Sequence, residues 1–239
     1  QLQNMFERAK AQGSADKFND NGVMSIPQNY SVGNIKFDGT GSPDILDEAR
    51  VELEWMFNMM VKSDDPYWGS KYENFVYHKL HDHKWTGLAT QPWNYQDEWG
   101  TTRIVKPPSY AATFNMIACA AQAARLWESY DSDFAAKCLD NAKKSWEAVM
   151  KYQSNWAIDE GNSASDPMFA PLDQAIGGGA YGDSYVQDDA YWAACELFAT
   201  TGDNTYYDFL SKYKNNNDKT GNDKAFSLTT CLLYTSPSP

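Results

Sequence analysis

Four stretches of this chain repeat apolar side chains at three- and four-residue steps, and almost nothing alternates with the period of two that a half-buried strand needs. From Asp44 to about residue 61, Ile45, Leu46, Ala49, Leu53, Met56, Phe57 and Met60 form one broad helical face. Ser42 can cap that helix, Pro43 suits a first helical position, and Asp44, Asp47 and Glu48 complement the positive end of the helix dipole. A second pattern starts at Ser109, after Pro107-Pro108, with Ala111, Phe114, Ile117, Ala118, Ala121, Ala124 and Leu126 inward. A third runs from about Ser132 to Tyr152 on Phe134, Cys138, Ala142, Trp146 and Val149. The short connection at Tyr130-Asp131 makes these two antiparallel neighbours. The fourth carries Val186, Ala190, Ala193, Ala194, Leu197 and Phe198; Gly202 stops it, and Asp203 can cap a following helix with Tyr206, Tyr207, Leu210 and Tyr213. Residues 1–13 read as the last turns of a further helix, with Leu2, Met5, Phe6 and Ala9 apolar and Gly13 as the stop. The expected class is all-α, built of antiparallel helix pairs. Strict heptads are absent, which excludes a coiled coil, and the uneven pairs and long loops disfavour a regular solenoid over a closed toroid.

Charge and composition narrow the partners. With 32 acidic and 20 basic residues the net charge is −12, so nucleic acid and anionic membrane surfaces are repelled. No apolar run reaches the length of a membrane span, and 42% hydrophobic residues over 239 positions suffice for a full globular core. Nine Trp, fifteen Tyr and eleven Phe can serve that core or present flat faces to sugar rings. Four scattered cysteines make neither a disulfide framework nor a zinc spacing; Cys119, Cys138 and Cys195 sit among apolar neighbours as small buried hydrophobes.

Between the helices lie two segments suited to function. Residues 62–108 keep no period yet hold all three His and four Trp, which argues against disorder. Within them Tyr77-His78-Lys79-Leu80 reads as a short strand and His81 to Gly87 as an exposed corner. The His-x-x-His-x-His spacing of His78, His81 and His83 lacks a rigid element to converge imidazoles on a transition metal, so surface or substrate contact is the expectation. The stretch from Gly177 to Thr205 joins a glycine-rich, aromatic loop to Asp183, Ser184, Asp188 and Asp189, hard oxygens at a helix start.

Taken in order, Asp44-Ile45-Leu46-Asp47-Glu48-Ala49-Arg50, Tyr77-His78-Lys79, Asp82-His83-Lys84-Trp85-Thr86-Gly87, Pro108 to Thr113, and Asp188 to Leu197 with Thr201-Gly202-Asp203 resemble a glycoside hydrolase family 9 endoglucanase. The resemblance covers Gln1 to about Phe226. It implies an (α/α)6 barrel, here incomplete, acting on β-1,4-glucan with inversion, secreted or cell-surface attached, as a monomeric catalytic domain with accessory modules. Residues 1–230 are then a partial catalytic domain, and 231–239 resemble a translated sequencing adapter, a non-native tail, with a genuine Pro-rich tail as the alternative. The family's base motif, Asp-Ala-Gly-Asp, and its acidic Glu match nothing in the chain, so both catalytic carboxylates are expected outside it and residues 1–239 alone are expected to be inactive.

The resemblance does imply binding residues. His83 and Trp85 match a sugar-contacting segment, with Thr86 where some members carry a further Trp, and Tyr181 stands near the place of a cleft aromatic. Ser184, Tyr185, Asp188 and Asp189 match a calcium-binding segment with Asp in place of Glu, plain helix capping being the alternative. His78 is expected to be a structural hydrogen-bonding residue. The alternatives to a cellulase are a non-catalytic carbohydrate-binding toroid and another polysaccharide-degrading α/α-toroid enzyme.

Overall fold

The computed structural model describes residues 1–18, 20, 31–32, 35–36, 40–82, 103–153 and 186–214. Among them the helices are α1 (Leu2–Ala11), α2 (Asp44–Asn58), the single turn α3 (Gly69–Tyr72), α4 (Tyr110–Trp127), α5 (Ser132–Met150), α6 (Gln187–Thr201) and α7 (Asn204–Lys214). Short strands accompany them: β1 (Ser31–Val32), β2 (Ile35–Lys36), β3 (Val76–Tyr77), β4 (Leu80–Asp82), β5 (Arg103–Val105) and β6 (Pro108–Ser109). They pair antiparallel as β1 with β2, β3 with β6 and β4 with β5.

The helix ends follow local chemistry. Ser109 caps α4 rather than beginning it, its hydroxyl accepting the Ala112 amide at 3.2 Å. Asp131 caps α5 through the Phe134 amide at 2.9 Å. At α2 it is Pro43 that occupies the cap, with no side-chain cap bond, and Asp44 is the first helical residue. Gly202 closes α6 in the left-handed region at φ 67°, a conformation that penalises a Cβ. Asp203 then accepts the Thr205 amide at 2.8 Å at the start of α7.

Helix α4 is the hub. Ala111, Phe114, Ile117, Ala118, Ala121 and Leu126 are all buried, and small residues on several sides let neighbours approach closely. Antiparallel α5 packs along it: Phe114 meets Trp146 at 6.3 Å between ring centroids, and Trp127 meets Phe134 edge-on at 5.0 Å. α6 runs in the same sense as α4, since Asn115 bonds Asp189 near both starts and Arg125 bonds Thr200 near both ends. α2 runs with α5, Arg50 reaching Asp131 and Glu54 reaching Lys137. α1, α4 and α6 therefore point one way and α2 and α5 the other, an arc of helix hairpins.

Two apolar assignments change. Met5 on α1 is 54% exposed, and on α7 Tyr207 is 53% exposed while Phe209 is buried. Trp146 of α5 decides the second, taking Tyr206 at 5.6 Å and Phe209 at 5.0 Å on one side. The second helix also ends at Asn58, before the expected residue 61. Val61 instead exchanges backbone bonds with Phe75 and Asn74 at 2.7 and 2.9 Å, drawing the chain into the strand that follows. The expected strand at Tyr77 to Leu80 is β3 and β4 with a break at His78 and Lys79.

Candidate functional site

The alternation of helix directions gives the arc two ends. At one, α4 and α6 begin and α5 finishes, and residues 62–82 and 103–109 gather over them. Thr113 of α4 accepts the Val76 amide at 2.9 Å, Ser145 of α5 donates to the Asn74 carbonyl at 2.7 Å, and Tyr152 donates to the Lys71 carbonyl at 2.8 Å. His83, Trp85 and Tyr181 lie outside the described residues, as do Ser184 and Tyr185.

His78 is built into the loop end. Its backbone amide donates to Pro107 at 3.0 Å, and Nδ1 lies 2.9 Å from the Ser109 hydroxyl, which at the same time caps α4. The imidazole is thus tied to the helix start, in keeping with the structural role expected of it. Asp188 and Asp189 stand half-buried in the first turn of α6, where a negative charge faces the positive end of the helix dipole. Asp189 Oδ1 accepts from Asn115 Nδ2 at 3.4 Å, linking α6 to α4.

The opposite end holds a grouping that the sequence did not signal. Asp20, Asp44 and Asp47 bring one carboxylate oxygen each within 4.8 Å of one another. Asp47 is fully buried; its Oδ2 accepts from the Thr40 hydroxyl at 2.8 Å, and its Oδ1 has no hydrogen-bond partner among the described residues. Asp20 Oδ2 accepts the Gly41 amide at 2.6 Å, which folds the loop back onto the start of α2. Burial pushes the Asp47 carboxyl up to about 7, the charges of Asp20 and Asp44 add to the rise, and Thr40 and Arg50 oppose it. Three carboxylates, one of them buried with an unpaired oxygen, suit a hard divalent cation, which would relieve their mutual repulsion. Asp44 and Asp47 read in sequence only as dipole-complementing residues; Asp20 reaches them through a loop whose closure no periodicity reveals.

Two further acidic residues hold local structure. Asp131 caps α5 and accepts Arg50 Nη1 at 2.9 Å, and burial, outweighed by those bonds, leaves its carboxyl below the usual range. Asp65 caps a turn through the Tyr67 and Trp68 amides, each at 2.9 Å. Cys138 is fully buried, Cys119 and Cys195 are half-buried, and burial raises all three thiols, Cys119 to about 11, so none is an activated nucleophile.

Comparison with known proteins matches this arrangement. Residues 4–234 fit the sequence profile of Glycosyl hydrolase family 9. The chain is 41% identical over 212 residues to a cellulose 1,4-beta-cellobiosidase of Acetivibrio thermocellus, covering 87% of this chain and 21% of that protein. It is 39% identical over 206 residues to endoglucanase C of Cellulomonas fimi, covering 86% of this chain and 16% of that protein. The crystal structure of a metagenome-derived glycoside hydrolase family 9 endoglucanase superposes with a TM-score of 0.65 at 28% identity, covering 89% of this chain and 32% of that one. The chain thus spans about a fifth of the length of these curated relatives. The arc of helix hairpins is part of an α/α toroid, and the chain belongs to glycosyl hydrolase family 9.

Proposed function

We propose that the chain is part of the catalytic domain of an inverting glycoside hydrolase that cleaves β-1,4-glucosidic bonds in cellulose or a related β-glucan. The observation that carries this is the family match over residues 4–234, joined to an arc of helix hairpins. Inversion requires a carboxylate base to activate water and a carboxylic acid across the scissile bond. Asp65 and Asp131 are committed to a turn and a helix cap, and Asp20, Asp44 and Asp47 group at the end where α2 begins. The contribution of this chain is binding and support. His83, Trp85 and Tyr181 contact the glucan, with Trp85 and Tyr181 offering ring faces to pyranose rings.

A divalent cation held by Asp20, Asp44 and Asp47 would staple the preceding loop to α2; its distance in the fold from the loop end makes it a support, not a participant in bond cleavage. Ser184, Tyr185, Asp188 and Asp189 form the second oxygen-rich segment for calcium, with Asp188 and Asp189 in the first turn of α6. We place the whole protein outside the cell, as a monomeric catalytic domain with accessory modules, in keeping with an insoluble polymeric substrate. Among the described residues no helix is long and apolar enough to cross a membrane.

The test is hydrolysis by the full-length protein of carboxymethylcellulose against xylan and pectin. Reducing ends released from the first alone support the reading. Release only from xylan or pectin would favour another polysaccharide enzyme, and binding without any release a non-catalytic toroid.

A further inference from the structure

We propose that Tyr67 is an auxiliary stacking platform for a β-glucan chain, separate from the cleft residues His83, Trp85 and Tyr181; this rests on the glucanase reading above. At 84% exposure it is the most exposed of the large apolar and aromatic side chains described, ahead of Met5, Trp55, Val105, Tyr130 and Tyr207. Tyr130 lies edge-on to Phe6 at 6.2 Å and Tyr207 lies against Phe198 at 5.5 Å, so each of those rings rests on the core. The Tyr67 ring stands clear of the surface.

Its backbone is held firmly. Pro66 fixes the preceding φ, and Asp65 Oδ1 accepts the amides of both Tyr67 and Trp68. Asp65 Oδ2 accepts from the Tyr77 hydroxyl, which joins the turn to β3. Below it, Gly69 packs so tightly that a Cβ would meet the Ser63 carbonyl oxygen at 2.5 Å and that of Lys62 at 2.6 Å. Trp68 then leans on Tyr72 at 5.8 Å, and Tyr72 on Tyr152 of the α5 end at 5.5 Å. An aromatic ring on a turn pinned at both sides loses little freedom when a ligand stacks on it, which favours binding. Lys62, Ser63, Asp64 and Ser70, close to it in sequence, are exposed and carry groups that hydrogen-bond hydroxyls. A flat apolar face within a polar rim matches a pyranose ring, apolar on its C–H face and hydroxylated at its edge. The turn also sits at the end of the arc where α4 and α6 begin, joined through Tyr72 to Tyr152 beyond α5.

The test compares full-length wild type with Tyr67→Ala and Tyr67→Phe in depletion isotherms on insoluble cellulose and in hydrolysis of a short soluble cello-oligosaccharide. The expected result is an affinity for cellulose about three- to tenfold weaker in Tyr67→Ala, wild-type affinity in Tyr67→Phe, and unchanged kcat on the oligosaccharide. Equal cellulose binding by Tyr67→Ala and wild type overturns the proposal, as does an equal loss on the soluble oligosaccharide. A wild-type protein inactive on the oligosaccharide overturns the glucanase reading, and this inference with it.

Discussion

Arg125 grips Glu7 in a two-pronged pair, Nε to Oε1 at 2.6 Å and Nη2 to Oε2 at 2.8 Å, fastening α4 to α1. The same guanidinium reaches Glu196 at 2.7 Å and Thr200 at 3.0 Å on α6, so one side chain joins three helices of the arc. Replacing Arg125 by Ala strands two partly buried carboxylates, and the expected loss is about 2–4 kcal/mol in urea unfolding. Arg125→Lys recovers only part of this, because an ammonium lacks the planar fork.

Acid sensitivity follows from the same pair. Burial alone would raise the Glu7 carboxyl, but its bonds to Arg125 and Gln122 hold it below its ordinary 4.5. The stabilisation is fully present above pH 4.5 and is lost as pH falls through the lower folded value. A scan of Tm from pH 6 to 3 should show a fall below about pH 4.5, and Glu7→Gln should make the curve shallower there.

The Asp20, Asp44 and Asp47 grouping predicts a crossover. With its carboxyl raised from 3.8 to about 7, Asp47 costs stability when ionised and returns it as pH falls through 7 toward 3.8. Without added metal at pH 8, Asp47→Asn should be at least as stable as wild type. Calcium in large excess should stabilise the wild type more than Asp47→Asn, the difference being about 2.7 kcal/mol at a hundredfold excess over the Kd of this site. Calorimetry with and without chelator reads both arms.

Ser109 serves α4 and His78 at once. Ser109→Ala should cost about 1 kcal/mol through the lost cap, and nitrogen NMR should report a changed tautomer balance at His78.

Where one face of a helix is buried, the sequence is readable. Helices α4 and α5 were legible because Phe114, Ile117, Phe134, Cys138 and Trp146 recur with the helical period and all point into the core. On α7 apolar residues lie on two faces, and the choice of Phe209 over Tyr207 is made by Trp146, a residue far away in sequence. Residues 60–61 carry a helical pattern that yields to pairing with 74–76. At the site, Asp188 and Asp189 stood out as acidic residues at a helix start, a local signal. The grouping of Asp20 with Asp44 and Asp47 depends on a loop folding back through the Gly41 amide, which leaves no local trace.

The central claim, inverting hydrolysis of β-1,4-glucan, is tested most directly by proton NMR of the anomeric region during the first minutes of cello-oligosaccharide hydrolysis by the full-length protein. The account predicts that the α-anomer appears first and mutarotates toward the equilibrium mixture. Initial release of the β-anomer, or no hydrolysis, would contradict it.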